Sequence, residues 1–444
     1  MKYFGTDGVR GAANIDMTPE LACRLGLAAG IVLNKRALGG AVIIGRDTRL
    51  SGHMLLSALA AGFCSAGVNV YDGGVLTTPA VAYLTRITDG CVGAVVSASH
   101  NPAGDNGIKF ISHDGYKLED DVLEEIEALF DAPPPPSGRP HGRGVGWIKP
   151  FPEGERLYVE YLLSTIKTPL EGLKIVADCA NGAASDLGPE ALRRAGAQVI
   201  SIHDQPDGWN INDNCGSLHL DSLRESVLKW KADIGVAFDG DADRLMAVDH
   251  QGEEVNGDQI ILLMALHMRA KGELRGPVVT TVMSNIGLKL ALSQAGIEHI
   301  ATQVGDRYVL QEMLDKGAVI GGEESGHIIL LRDSNTGDGI LSALHLMSVM
   351  KESGKSLSEL AGQMVRYPQL LVNAVVSTKE GWDSDPVILA EIKKVEDALA
   401  GRGRLLVRPS GTEPKIRVLV EGPDGAELKE LAEGLAAIIR ERQG

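Results

Sequence analysis

Short apolar runs alternate with capped helical stretches along most of this chain. That pattern predicts an α/β fold: three similar α/β domains with mixed, largely parallel sheets, followed by a smaller C-terminal α+β domain. Three observations support it. Between Pro19 and Val96, strand and helix signals follow one another without a break. Comparable units of strand, polar loop and helix recur after Leu173 and again after Asp249, as variants on one plan and not as a strict repeat. Beyond about Tyr367 the order changes to strand, helix, two strands and a final helix. The 444 residues exceed what one core organises, so the chain is read as domains 1–150, 151–254, 255–366 and 367–444.

Each element has a local reason. Thr18-Pro19-Glu20 supplies an N-cap and a proline at the first helical position, for a helix reaching about Lys35. Ala41 to Ile44 is a strand leaving into Gly45-Arg46-Asp47-Thr48-Arg49, followed by a helix from Ser51 to Ala66 and a strand from Val68 to Tyr71. Thr77-Thr78-Pro79 opens another helix, and Cys91 to Val96 is a further strand. The segment from Ala132 to Pro150, with Pro133 to Pro136 and repeated glycines, reads as an interdomain linker. In the second unit the strands are Leu173 to Ala177, Gln198 to Ile202 and Ile234 to Phe238. A hairpin around Asp249-His250-Gln251-Gly252 opens the third, followed by a helix from Asp258 to Arg269 and strands near Val278 to Val282, Ile297 to Gln303 and Ala318 to Ile320. The tail carries a helix from Pro386 to Ala400, two strands flanking Arg408 to Pro414, and a helix from Ala426.

Composition narrows the class. A formal charge of −16 argues against nucleic-acid or anionic-membrane partners, and means that any phosphate site must gather its arginines locally. Neither a signal-peptide core nor a bilayer-length apolar stretch is present. Cys23, Cys64, Cys91, Cys179 and Cys215 are odd in number and show no CxxC spacing, as expected of free thiols in a reducing compartment. The expectation is a soluble cytoplasmic protein.

Four polar strand exits carry the chemistry. Ser97-Ala98-Ser99-His100-Asn101-Pro102 places a hydroxyl and an imidazole at the carboxyl end of a buried strand, where ligands bind in open α/β sheets; an ordinary turn is the bland alternative. Asp239-Gly240-Asp241-Ala242-Asp243-Arg244 crowds three carboxylates that repel unless a cation gathers them. An EF-hand would need glycine and glutamate where Arg244 and His250 stand, so Mg²⁺ shared with a phosphate oxygen fits better than Ca²⁺; a solvated acidic turn is the alternative. Gly321-Gly322-Glu323-Glu324-Ser325-Gly326-His327 offers hydrogen-bonding groups and close backbone approach for a polar ligand, or is merely a tight turn with a satisfied histidine. Arg408-Pro409-Ser410-Gly411-Thr412-Glu413-Pro414, with Lys415 and Arg417, reads as a phosphate cradle or as a solvated hairpin tip, and no P-loop occurs anywhere. The glycine-punctuated opening, Phe4-Gly5-Thr6-Asp7-Gly8-Val9-Arg10-Gly11, brings one cation to a loop. Nucleophile, metal carboxylates, polyol loop and phosphate clamp together describe phosphoryl transfer on a phosphorylated sugar.

On these motifs the chain resembles the α-D-phosphohexomutase superfamily over essentially its whole length. The opening FGTDGVRG, the NINDNCGS stretch and GGEESGH look like its bacterial glucosamine branch. The resemblance implies four domains around a central cleft and makes Ser99 the phosphorylated nucleophile. It implies one Mg²⁺ per subunit held by Asp239, Asp241, Asp243 and an oxygen of the Ser99 phosphate. Glu323, Ser325, His327 and Arg244 would meet the sugar; Arg408, Ser410, Gly411, Thr412 and Arg417 would hold the phosphate that is not reacting; Arg10, Lys109 and His100 would lie by the nucleophile. The implied reaction interconverts glucosamine 6-phosphate and glucosamine 1-phosphate through a glucosamine 1,6-bisphosphate (or an activating glucose 1,6-bisphosphate), for cell-wall amino-sugar synthesis. Its partner is a small phosphosugar; the sequence sets no oligomeric state, and a homodimer is the assembly kept in view.

Three other readings have their own signatures. A glucose or mannose phosphomutase shares the chemistry and differs in sugar preference. A phosphosugar phosphatase would release inorganic phosphate, but no DxDx[TV] signature accompanies Asp239, Asp241 and Asp243. A phosphosugar-binding regulator would need no nucleophile.

Overall fold

The structure, a computed structural model, describes residues 2–5, 8–38, 40–88, 91–133, 135–410 and 414–444, without the side chains of residues 91 and 136. The chain divides into two compact units, Met1–Val282 with Glu298–Gly362, and Met283–Ile297 with Gln363–Gly444.

The first unit begins with a six-stranded sheet: β1 (Val9–Ala12), β2 (Ala41–Arg46), β3 (Asn69–Val75), β4 (Cys91–Val96), β5 (Asp105–Ile111) and β6 (Ile148–Pro150), in the order β1-β5-β4-β2-β3-β6. β4, β2, β3 and β6 run parallel, while β5 returns antiparallel beside β4 and β1 antiparallel beside β5. Its helices are α1 (Pro19–Arg36), α2 (Leu50–Ser65), α3 (Thr78–Ile87), α4 (Asp120–Asp131) and α5 (Gly154–Thr165). The caps read from sequence are made: Thr18 Oγ1 accepts Leu21 N–H at 3.2 Å, and Thr77 Oγ1 accepts Ala80 N–H at 3.1 Å. β2 is buried over nearly its whole length, which is why it reads as a continuous apolar run. β1, β5, α4 and α5 carry weaker signals and are found only here.

Two expectations need correction. The end of the proline-rich segment is not an open linker, because residues 148–150 pair parallel with β3 through Val70↔Ile148. Gly146 makes this approach possible: its N–H donates to Cys64 O at 3.0 Å, and a Cβ there would lie 2.1 Å from Val68 O. The hairpin at Asp249–Gly252 also belongs to the second sheet instead of opening the third. That sheet contains β7 (Lys174–Asp178), β8 (Gln198–Ile202), β9 (Ile234–Phe238), β10 (Leu245–Asp249) and β11 (Glu254–Val255), in the order β11-β10-β9-β7-β8. The chain folds straight back after the acidic loop, pairing Leu245 with Phe238, so β10 and β11 stay with β9. Helices α6 (Ala184–Arg194) and α7 (Asp221–Trp230) complete this layer.

A third sheet, β12 (Val278–Thr281), β13 (His299–Thr302), β14 (Ile320–Gly322) and β15 (Ile328–Leu330), has the order β13-β12-β14-β15. The strand expected at Ala318–Ile320 shifts into the glycine pair, since Gly321 and Gly322 face Ile329 and Ile328 in an antiparallel ladder. Helix α8 (Gly257–Ala270) starts at an Asn256/Gln259 capping box. α9 (Ile286–Gln294) belongs to the second unit, and α10 (Asp306–Lys316), α11 (Gly339–Ser353) and α12 (Leu357–Ala361) to the first.

The second unit has an antiparallel sheet of β16 (Gln369–Val375), β17 (Arg404–Pro409) and β18 (Lys415–Glu421), with β18 central. With α13 (Pro386–Leu399) and α14 (Gly425–Gln443) it encloses its own core, including Ile388, Ile416, Val418, Leu435 and Ile439. No described helix is long and apolar enough to cross a membrane, and Cys23, Cys64, Cys179 and Cys215 are free thiols.

Helices α1 and α2 approach so closely that glycine is required on both. A Cβ at Gly62 would lie 2.1 Å from Cys23 O, and one at Gly26 would lie 2.2 Å from Leu59 O. Gly62→Ala is therefore expected to destabilise the protein by about 1–3 kcal/mol despite alanine's better helix propensity. The check is the thermal midpoint, and an unchanged midpoint would show that the helices can separate without cost.

Candidate functional site

Ser99 sits just past β4, 2% exposed, with φ +52, a left-handed conformation that a serine holds only if its surroundings enforce it. The enforcing group is Arg49, itself 0% exposed. Its guanidinium donates to Ser99 O at 2.9 Å, Asn101 O at 2.8 Å, Asp105 O at 3.2 Å and also to Pro102 O. Asp47 Oδ2 accepts Arg49 Nε–H at 2.9 Å and the Ser97 hydroxyl at 2.6 Å, and Ser97 Oγ accepts Ser99 N–H at 2.9 Å. Burial raises the pKa of Asp47 above the usual carboxylate range, against the pull of Arg49 and Ser97. From the second layer Asn212 Nδ2 donates to the same carbonyls, Ser99 O at 2.9 Å and Asn101 O at 3.0 Å. Backbone groups on both sides of Ser99 are therefore held, and its side chain is aimed outward from the turn.

It is aimed at the acidic loop. Ser99 Oγ donates to Asp239 Oδ2 at 2.6 Å and lies 3.3 Å from His100 Nδ1. The loop comes this close because residue 240 is glycine: a Cβ there would stand 2.5 Å from Ser99 O. Asp241 Oδ2 takes Lys109 Nζ at 2.7 Å and the Thr78 hydroxyl at 2.6 Å, while Thr78 N–H donates to Asp241 O at 3.0 Å. Arg244 N–H donates to Asp239 Oδ1 at 3.2 Å, and Arg244 Nε lies 3.9 Å from Asp243 Oδ1.

Electrostatically the loop is short of positive charge. Burial and then the Asp243 and Asp241 carboxylates drive the Asp239 pKa well up. Burial pushes Asp241 the same way, but Lys109 and the Thr78 hydrogen bond overcome it and keep Asp241 low. Burial opposes the charge of Lys109 too; Asp241 more than offsets this, so Lys109 remains an ammonium. Burial, then Arg244 and Arg10, push His100 down to about 4. One carboxylate oxygen from each of Asp239, Asp241 and Asp243 lies within 4.8 Å of the others. Asp241 Oδ1 and Asp243 Oδ1 are buried without a hydrogen-bond partner. Hard, anionic, orphaned oxygens at this spacing fit a divalent cation such as Mg²⁺.

The third loop borders the second. Glu323 Oε1 accepts Gly305 N–H at 3.2 Å, and the Ser325 hydroxyl lies 3.5 Å from Glu323 Oε2. His327 lies 3.6 Å from Asp243 through Nδ1 and accepts Gly337 N–H on Nε2 at 3.1 Å. Gly326, at φ +91, lets this turn seat on β10, where a Cβ would lie 2.2 Å from Leu245 O.

Within the first unit the structure thus brings together Ser99, His100, Lys109, Asp239, Asp241, Asp243, Arg244 and His327, with Glu323 and Ser325 on the adjoining turn. Arg10 lies on β1 opposite Gly107, and its charge bears on His100, Lys109 and Asp241. In the second unit Arg408 and Arg417 are direct cross-strand partners on β17 and β18, with Arg417 Nη2 3.3 Å from Ser410 Oγ. Two arginines placed opposite one another repel unless an anion lies between them. Gly411 and Thr412 lie outside the described residues.

The sequence reading named no role for Asp47, Arg49, Thr78, Ser97 or Asn212. Only the Gly45-Arg46-Asp47-Thr48-Arg49 strand exit, charged in a buried setting, could have pointed to the first pair. Arg49→Ala would leave Asp47 buried without its cation and remove one donor from each of four carbonyls, of which Ser99 O and Asn101 O would keep Asn212 and Pro102 O would keep Asp105 N–H. A loss of about 3–5 kcal/mol is expected, read as a lowered thermal midpoint. Gly240→Ala tests the loop approach: activity should fall by at least about tenfold while the midpoint moves by under about 3 kcal/mol of stability.

Comparison with known proteins accords with this geometry. Four family models match in succession: phosphoglucomutase/phosphomannomutase alpha/beta/alpha domain I at residues 1–135, domain II at 156–252, domain III at 256–367 and the C-terminal domain at 371–438. The phosphoglucosamine mutase of Desulforamulus reducens is 53% identical over 439 residues, covering 99% of each chain. That of Symbiobacterium thermophilum is 53% identical over 442 residues, again covering 99% of each. Among solved structures, a phosphoglucomutase/phosphomannomutase family protein from Burkholderia thailandensis superposes with a TM-score of 0.82 at 23% identity, covering 99% of this chain and 97% of that one. Fold, loops and full-length identity converge, and this chain belongs to the phosphoglucosamine mutase family.

Proposed function

We propose that this protein interconverts glucosamine 6-phosphate and glucosamine 1-phosphate through a phosphorylated Ser99 and a 1,6-bisphosphate, supplying amino-sugar precursors in the cytoplasm. The observation that carries the reading is Ser99 itself: a strained, immobilised hydroxyl donating at 2.6 Å to a carboxylate of a buried acidic triad. In the first transfer the phosphoryl leaves Ser99 Oγ for the free hydroxyl of the substrate, and the proton of that hydroxyl ends on Ser99. The reverse transfer, from the other end of the sugar, restores phospho-Ser99.

Asp239, Asp241 and Asp243 would hold one Mg²⁺ per subunit, which supplies charge neutralisation to the transferring phosphoryl group when bound. Lys109, an ammonium beside Asp241, adds a second positive charge at the same place, so it acts by electrostatic stabilisation and not as a base. Arg49 and Asn212 keep Ser99 at one position through both transfers, which saves the entropy of repositioning it. Glu323 and Ser325 offer acceptors to sugar hydroxyl and amino groups, with Arg244 and His327 beside them. His100 lies 3.3 Å from the nucleophile, and Arg10 would act beside it. Arg408, Ser410, Gly411, Thr412 and Arg417 would clamp the phosphate that is not reacting, and glucose 1,6-bisphosphate would serve to load Ser99. Four domains, 1–150, 151–254, 255–366 and 367–444, each contribute one loop, in line with four separate sheets. The assembly is proposed to be a homodimer.

Intact-mass measurement tests the covalent step. Protein incubated with glucose 1,6-bisphosphate and Mg²⁺ should gain one phosphate on Ser99, lose it to glucosamine 6-phosphate, and show neither change as Ser99→Ala. Turnover in that variant should fall by at least about three orders of magnitude. Glucosamine phosphates should outcompete glucose and mannose phosphates in kcat/KM. Lys109→Met should lower kcat by about 10²–10³-fold; near-normal turnover would remove Lys109 from the mechanism.

A further inference from the structure

We propose that Asp178, His203 and Cys215 form a metal site separate from the aspartate loop, one that takes a borderline transition-metal ion such as Zn²⁺. The three residues come from different places: the end of β7, the turn after β8 and the polar loop before α7. One ligand atom from each lies within 4.8 Å of the others. Zinc bonds of 2.0–2.3 Å put ligand atoms about 3–4 Å apart, so closure requires a shift of about 1 Å or less. Carboxylate oxygen, imidazole nitrogen and thiol sulfur together make a donor set that zinc prefers and that Mg²⁺ does not.

Two features set this cluster apart from an ordinary buried polar pair. Asp178 Oδ1 is used, accepting Ala180 N–H at 2.9 Å, while Asp178 Oδ2 and His203 Nδ1 are buried 3.0 Å apart with one another for company. They face one another as a close pair, a contact that raises the His203 pKa above its ordinary value, and Cys215 Sγ stands beside them, so a metal entering here would displace the proton between imidazole and carboxylate as well as that of the thiol. The thiol is 4.0 Å from Asn181 Nδ2 and is pushed up to about 12, by burial and then by Asp178, so it is protonated until a metal displaces its proton to solvent. Asp178 and Cys215 are buried, while the His203 side chain is 30% exposed, which leaves an entry path and room for a solvent ligand.

One short connection links the site to the candidate active centre. Cys215 follows Asn212 by three residues, and Asn212 braces the Ser99 and Asn101 carbonyls. Asn212 N–H in turn donates to Ala180 O at 2.9 Å, beside Asp178. A metal bound here ties β7 to the loop that holds the nucleophile in place.

Co²⁺ is the probe, added to the full-length protein in excess Mg²⁺, because a thiolate ligand gives cobalt a charge-transfer absorption that carboxylates do not. One equivalent should develop that band, Zn²⁺ should displace it, and Zn²⁺ should raise the thermal midpoint. Cys215→Ser should abolish the band, and His203→Ala, a change at a partly exposed side chain, should weaken Co²⁺ binding by more than about tenfold. Absence of the band in the unaltered protein, its persistence in Cys215→Ser, or unchanged affinity in His203→Ala would each overturn the proposal. None of these readouts depends on mutase turnover, so the site and the reaction stand or fall separately.

Discussion

One buried guanidinium holds the candidate active centre together. Arg49 collects four carbonyls from residues 99–105, a turn in which only Pro102 O also receives a backbone donor from within the stretch. A buried carbonyl without a donor costs on the order of 1–3 kcal/mol, so a turn with several of them would not persist unaided. Arginine can serve them all because its donors form a rigid planar fork, and because Asp47 neutralises its charge in the same buried space. The left-handed Ser99 and the direction of its hydroxyl both follow from that arrangement.

A second constraint is charge. Three carboxylates on one short loop are tolerated only because cationic groups surround them: Lys109 on Asp241, Arg244 along Asp239 and Asp243, and the charge of Arg10 nearby. The compensation is partial, as two buried oxygens without partners show. The donor set of such a loop fits a divalent cation. The glycines serve this electrostatics by geometry. Gly240 lets the acidic loop lie against Ser99 O, and Gly326 lets the following turn sit on Leu245 O.

Much of this was legible beforehand. The capped starts of α1 and α3 depend on residues within four positions of each other, and both form as read. β9 matches its apolar run because a fully buried strand needs little beyond continuous hydrophobicity. β1 escaped notice for the opposite reason: it has four residues, contains Gly11, and pairs only with the distant β5, as in Arg10↔Gly107. The proline-rich segment misled because composition reports flexibility, while Gly146 reports a close approach visible only when Val68 lies beside it.

By itself the sequence determined the fold class, the four polar strand exits and the residue types each offers, since these rest on periodicity, caps and turn chemistry within short windows. Tertiary structure alone decided which of those groups meet. Ser99 lies 140 residues from Asp239, Lys109 lies 132 from Asp241, and Asn212 lies 113 from Ser99. Such pairs leave no trace in local patterning, because the free energy that holds them comes from pairing buried charges and satisfying backbone groups after the sheets have assembled.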